Sequence, residues 1–306
     1  MFSQRPLVQD RTQTTDTRAI VPLFGQLFLA VLAAWTVMGY RVEGQFSSRV
    51  NLVEVYASVT DREGRSVANL TIDDFEVRED EGRQKIQAFA AGNFPLAVAV
   101  GLDRSFSVTR DRLSTVKTAV RSFVGALRPD DQATVLAVGS QTEIAAPLTS
   151  DHTQAMAALE ELDVWGTTPL YDAILTALDV IKSARGRRAL VLLSDGVDRY
   201  SRVTATEVVE AARQSGVLVY PIAIGSSRPP LFVELAVATG GRSFVAKQPR
   251  ELEPTLATIA RDLRLQYLLG YVPNRAASSE PRWHAIEVRV RRPDLRVRAR
   301  DGYWSR

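Results

Sequence analysis

The stretch Leu96–Leu102 constrains the fold more than any other part of the chain. It reads LAVAVGL, carries no polar side chain, and ends on Asp103, after which Ser105 and Ser107 follow at a spacing of two. A continuous apolar run with polar borders predicts a strand buried on both faces, as in a parallel sheet covered by helices. Open α/β sheets bind ligands at the carboxyl ends of such strands. Asp103, Ser105 and Ser107 offer only hard oxygen atoms, which suit a magnesium-type cation rather than zinc.

The rest of the chain supplies the neighbours that this strand requires. Strands are expected at 133–138, 143–147, 189–195, 217–224 and 242–246. Helical periodicity alternates with them, through Leu113, Val116, Val120 and Phe123 to end before Pro129, and near 151–162, 170–184, 205–214, 230–239 and 250–264. This alternation predicts an α/β fold with a doubly wound, mainly parallel sheet and helices on both faces. The α/β domain is placed at 95–247.

Shorter β segments flank it. Residues 50–60 alternate as a strand, and Phe75–Arg78 with Lys85–Phe89 read as a hairpin turning at Glu81-Gly82. After Arg264 strands return at 266–272, 284–291 and 295–300. The segments 46–92 and 248–306 are each too small to stand alone, so they are expected to pair into an immunoglobulin-like sandwich. Arg289, Arg291, Arg292, Arg296, Arg298 and Arg300 largely alternate with Val288, Val290, Leu295 and Val297, which predicts an apolar inner face and a solvated basic outer face.

The amino-terminal stretch points outside the cytoplasm. Residues 1–18 are polar and mildly basic, whereas 19–40 carry no charge until Arg41. That length fits a transmembrane anchor. Val42 and Gly44 before Gln45 also fit a small-residue cleavage pattern, so a signal-peptide core stands beside the anchor. On either reading the remainder is exported, membrane-anchored or secreted after cleavage, and the early arginines favour an amino terminus kept in the cytoplasm. The chain has no cysteine, which removes disulfides, thiol nucleophiles and cysteine-based metal sites; a net charge of +3 over 306 residues gives little support to nucleic-acid binding, and no nucleic-acid partner is expected.

Two later stretches complete a constellation with Asp103. The strand at 189–195 ends in Ser194-Asp195-Gly196, and Trp165-Gly166-Thr167-Thr168-Pro169 forms a loop that enters a helix. Asp103-x-Ser105-x-Ser107, Thr168 and Asp195, in that order, resemble the metal-binding elements of the von Willebrand factor type A (VWA) domain. The flanking β segments are similar to bacterial exported VWA-related proteins. The resemblance implies a metal-ion-dependent adhesion site in which Ser105, Ser107 and Thr168 present hydroxyls and Asp103 and Asp195 bind or orient. It further implies Mg²⁺ (or Mn²⁺ or Ca²⁺) as the ion, a protein partner presenting a carboxylate, and no catalysis. The residue between the two serines is usually small in that family; here it is Phe106, a ring beside the ion, and with Trp165 it is expected at the partner-binding edge.

Other residues carry less. Asp198 reads as a solvated loop acid, and Asp172 as a first-turn carboxylate favoured by the helix dipole. His152 and His284 are the only histidines, and neither a Gly-x-Ser-x-Gly turn nor a phosphate-binding GxxxxGK[ST] loop is present. The competing reading is a scaffold whose β segments make the contacts, with no functional ion.

Overall fold

The computed structural model describes residues 52–92, 94–274 and 280–305. The proposed tail 1–18 and the anchor or signal core 19–40 lie outside the described residues. Among those described, no helix is long and apolar enough to cross a membrane.

In chain order the strands are β1 (Val53–Thr60), β2 (Phe75–Glu79), β3 (Gly82–Gln84), β4 (Ile86–Ala91) and β5 (Leu96–Asp103). Helix α1 (Arg110–Gly125), β6 (Gln132–Val138), β7 (Thr142–Thr149), α2 (His152–Glu160) and α3 (Leu170–Ile181) follow. Then come β8 (Arg187–Ser194), α4 (Ala205–Ser215), β9 (Leu218–Ile224), α5 (Pro230–Thr239), β10 (Phe244–Ala246) and α6 (Leu252–Arg264). The chain closes with β11 (Tyr267–Tyr271), β12 (Trp283–Val290), β13 (Arg296–Arg298) and β14 (Gly302–Trp304).

Every residue of β5 is buried, because its two faces feed two separate cores. Val98, Val100 and Leu102 meet α1, α2 and α6, with Val116, Leu159 and Ile259 among their neighbours. Ala99 turns to the other layer, where Leu190, Leu192, Ile174 and Phe232 gather under α3, α4 and α5. The six-stranded sheet runs β10-β9-β8-β5-β6-β7. All of its pairings are parallel except β6 with the edge strand β7. The chain therefore leaves β5 toward one edge, then returns to β8 on its other side. The crevice at the carboxyl ends of β5 and β8 is the switch point where such sheets bind ligands.

Helix ends follow local chemistry. Thr109 caps α1 by accepting from Arg112 N, Thr204 and Glu207 form a capping box on α4, and Gly216 closes α4 at φ 64° in the left-handed region that glycine tolerates.

The flanking β segments form two antiparallel sheets, β13-β1-β11-β4 and β14-β12-β2-β3. They share one apolar core that includes Val55, Val59, Phe75, Val77, Leu269 and Ile286. The hairpin differs from the sequence expectation. β2 pairs with the short β3, whereas β4 leaves for the other sheet and pairs with β11. Helix α6 buries Leu252, Leu256, Ile259 and Leu263 in the α/β core, so the α/β layer extends past residue 247.

The basic outer face also differs from expectation. Arg289 is exposed and pairs with Glu287, but Arg298 turns to the α/β layer. It donates to both oxygens of Asp262 at 2.9 and 3.0 Å and to the Gly241 carbonyl at 2.7 Å. Asp262 also accepts from Tyr220 Oη at 2.9 Å. At the other seam, the fully buried Arg187 packs against the rings of both Tyr56 and Phe94 and donates to the Leu263 carbonyl. Burial lowers its pKa to about 10.

Candidate metal centre

Asp103 is the last residue of β5 and is 1% exposed. Its Oδ1 accepts from Ser105 N at 3.0 Å, which folds the turn back on the strand end. Its Oδ2 accepts from Ser194 Oγ, at the end of the neighbouring β8, at 2.7 Å. Ser194 Oγ in turn accepts from Gly196 N at 3.0 Å. Burial pushes the Asp103 carboxyl above the usual carboxylate range, against the hydrogen bonds from Ser105 and Ser194, and the nearby charge of Asp195 pushes the same way.

Ser105 Oγ and Ser107 Oγ stand 2.9 Å apart. Ser105 is buried and Ser107 exposed, so the pair opens from the strand end toward solvent. Thr168 is 3% exposed at the entrance to α3. The three loops are tied to one another through their backbones. Trp165 N donates to Arg104 O at 2.7 Å, Phe106 N to Gly166 O at 2.9 Å, and Arg199 N to Thr168 O at 2.7 Å. Gly166 sits at φ 80°, and a Cβ there would lie 2.3 Å from Ser140 N, so only glycine fits this close approach.

The donors fit a hard divalent cation. An octahedral ion with bonds of about 2.1 Å spaces adjacent ligands by about 3.0 Å, close to the Ser105–Ser107 separation. Asp103 and Asp195 add negative charge that no lysine or arginine ion pair offsets among the described residues. Both Asp103 oxygens already receive protein donors, so this carboxylate is suited to hold hydroxyls in place. Asp195 is half-buried, and its Oδ1 accepts from Val197 N at 2.9 Å.

The rim is apolar. Phe106 is 73% exposed and Tyr200 81%; Trp165 and Val197 are also exposed. Arg104 lies over the Trp165 ring with its Cζ 5.3 Å from the centroid and pairs with Glu143 at 2.8 Å. Asp198 is not a free loop acid. Its Oδ1 accepts from Tyr171 N and Ser201 Oγ. Asp172 accepts from Arg202 N at 3.0 Å and Val203 N at 3.3 Å. These two carboxylates pin the 198–203 loop to the start of α3.

Sequence reasoning missed the bridging role of Ser194. The one available signal was its place beside Asp195 at a strand end. The histidines are engaged elsewhere: His152 Nε2 lies 3.1 Å from Asp131 O, and His284 Nδ1 lies 2.7 Å from Asp80 Oδ2. Glu79, Asp80 and His284 gather donor atoms within 4.8 Å in the sandwich.

Residues 98–197 match the family model described as the von Willebrand factor type A domain. This part of the chain is a VWA domain. A solved von Willebrand factor type A protein from Catenulispora acidiphila is 13% identical and has a TM-score of 0.51, covering 74% of this chain and 71% of its own. Proximal thread matrix protein 1 from the mussel byssus, solved with a zinc-occupied MIDAS motif, is 16% identical with a TM-score of 0.51 over 60% of this chain and 49% of its own. These likenesses carry the fold of the VWA domain. A protein of Borreliella burgdorferi whose name assigns no function is 28% identical over 123 residues, 39% of this chain. The match spans 36% of that curated relative, about a third of its length.

Proposed function

We propose that the chain is an exported, non-catalytic binding protein whose VWA domain holds a divalent cation and through it captures an acidic group of a protein partner. Asp103, Ser105, Ser107, Thr168 and Asp195 would hold the ion, with Mg²⁺ the first choice and Mn²⁺ or Ca²⁺ the alternatives. Neutral hydroxyl ligands leave such an ion electrophilic, and it then favours an anionic oxygen from outside. The observation that carries this reading is the Ser105–Ser107 hydroxyl pair, 2.9 Å apart beside the buried Asp103. Phe106 and Trp165 stand at the rim, where exposed aromatic side chains suit contact with a protein surface. An amino-terminal anchor or signal segment at 19–40 would place the domain outside the cytoplasm.

Titration with Mg²⁺ by calorimetry, followed by capture of surface proteins with and without EDTA, tests the proposal. Binding and capture should both disappear in Asp103→Ala/Ser105→Ala; if both survive unchanged, the mechanism is wrong. A scaffold reading is favoured by one observation, the sandwich assembled from the segments on either side of the α/β layer around a core of its own. It predicts capture that is indifferent to EDTA.

A further inference from the structure

A concave region lies at the opposite end of β8. A cavity of about 410 Å³ opens between β1, the end of α4, the end of α5 and the carboxyl-terminal strand β14, lined among others by Glu54, Arg188, Arg213, Arg300, Tyr303 and Trp304. Its volume falls in the range of small-molecule sites, roughly 300–1,000 Å³. Arg188 and Asp195 are seven residues apart along one strand direction, about 23 Å at the rise of an extended chain, so a ligand here would not touch the cation loops.

The three guanidinium groups differ in their partners. Arg213 is satisfied: it pairs with Glu210 at 2.6 Å and with Asp301 at 2.9 Å. Arg300 has no carboxylate within ion-pair distance among the described residues, and its Nε is buried with no hydrogen-bond partner. Its guanidinium lies over the Tyr303 ring with Cζ 5.4 Å from the centroid. Arg188 donates one N–H to the Lys182 carbonyl and likewise has no carboxylate partner among the described residues. Burial lowers the Arg300 pKa, Arg188 adds to that lowering by like-charge repulsion, and the charge of Glu54 opposes it.

Two guanidinium groups that line one concave site, one with an unpaired buried N–H, leave hydrogen-bonding capacity that an anion can satisfy. Guanidinium forks match the paired oxygens of a carboxylate or phosphate. Tyr303 and Trp304 supply flat apolar surface beside them. We infer that this cavity binds a small organic oxyanion, with Arg188 and Arg300 taking its charged group and the aromatic wall taking its apolar body.

The test uses phenyl phosphate as the probe, with phenol and sodium chloride at equal ionic strength as controls, read by thermal melting and calorimetry on the full chain. The expected result is a concentration-dependent rise in melting temperature with phenyl phosphate that neither control reproduces. Arg300→Met and Arg188→Met should each weaken binding at least tenfold. Because Arg300→Met removes an unpaired buried charge, the probe-free variant should melt no lower than the parent. Asp103→Ala should keep the full response, which separates this site from the cation site. No calorimetric binding, an equal response to phenol or chloride, or undiminished affinity in Arg188→Met would overturn the inference.

Discussion

Ser194 Oγ donates to Asp103 Oδ2 at 2.7 Å and thereby joins the carboxyl ends of the two strands that flank the switch point of the sheet. The same hydroxyl accepts from Gly196 N, so one serine fixes both the Asp103 carboxylate and the start of the Asp195 loop. Ser194→Ala should therefore loosen the site without unfolding the sheet. A hydrogen bond to a charged group contributes about 1.5–3 kcal/mol, and groups that orient metal ligands typically change affinity by 10–100-fold. Mg²⁺ affinity should fall by about tenfold or more in calorimetry, while far-ultraviolet circular dichroism stays that of the parent.

The same buried carboxylate is costly when no ion is present. Burial raises the Asp103 pKa, opposed by its hydrogen bonds, so the charged form destabilises the fold above that raised value and the cost is relieved as pH falls toward the ordinary carboxylate range. Asp103→Asn keeps the shape and removes the charge. In EDTA at pH 7 this variant should melt at or above the parent temperature. Its advantage should shrink as the buffer is taken to about pH 4.5, toward the unperturbed aspartate value of about 3.9. With Mg²⁺ added the order should reverse, because only the parent gains an ion. Paired melts at the two pH values, with and without Mg²⁺, check each step.

Gly166 governs how the loops meet. It holds φ at 80°, its carbonyl accepts from Phe106 N, and a Cβ would lie 2.3 Å from Ser140 N and 2.4 Å from Ser140 Oγ. A left-handed residue with a side chain costs about 1–2 kcal/mol, and the clash with backbone adds to it. Gly166→Ala should destabilise the protein by more than about 2 kcal/mol in urea unfolding. It should also weaken Mg²⁺ binding, since Thr168 lies two residues on.

Much of this architecture was legible because burial on both faces leaves an unambiguous mark. Leu96–Leu102 and Ala189–Leu193 could only be interior strands, and their polar ends had to share one edge. The sandwich was less legible. Ile86–Ala91 carries apolar residues that suit a hairpin with β2 as well as a ladder with β11, and the choice of β11 depends on Tyr267–Leu269, about 180 residues away in sequence. Alternation along the last strands marked Arg298 as outward-facing, but outward there means toward Asp262 and the Gly241 carbonyl. Local pattern reports which face a residue occupies, not what covers that face. Ser194 was invisible for a related reason: a serine at a strand end has no signature until the neighbouring strand supplies its carboxylate.

Asp131 ties the two ends of the α/β layer and gives the fold an acid limit. Its side chain is fully buried; Oδ1 accepts from Leu96 N, the first residue of β5, at 3.0 Å, and Oδ2 from Arg128 N at 2.7 Å. Arg264, the last residue of α6, donates to both oxygens. Burial alone would raise this carboxyl, but the Arg264 and backbone donors outweigh it and hold the pKa below the ordinary aspartate value. A depressed carboxylate contributes stability that is fully present above the unfolded value of about 3.9 and is lost as pH falls through the lower folded value. Asp131→Asn leaves Arg264 without its charge partner and should cost about 3 kcal/mol at pH 7, the lower end for a broken buried pair because Arg264 keeps some solvent contact. The difference between parent and variant should narrow below about pH 4. Urea titrations at pH 7 and pH 3 measure both effects, and a gap that stays constant between them would show that the Asp131 charge is not what stabilises this junction.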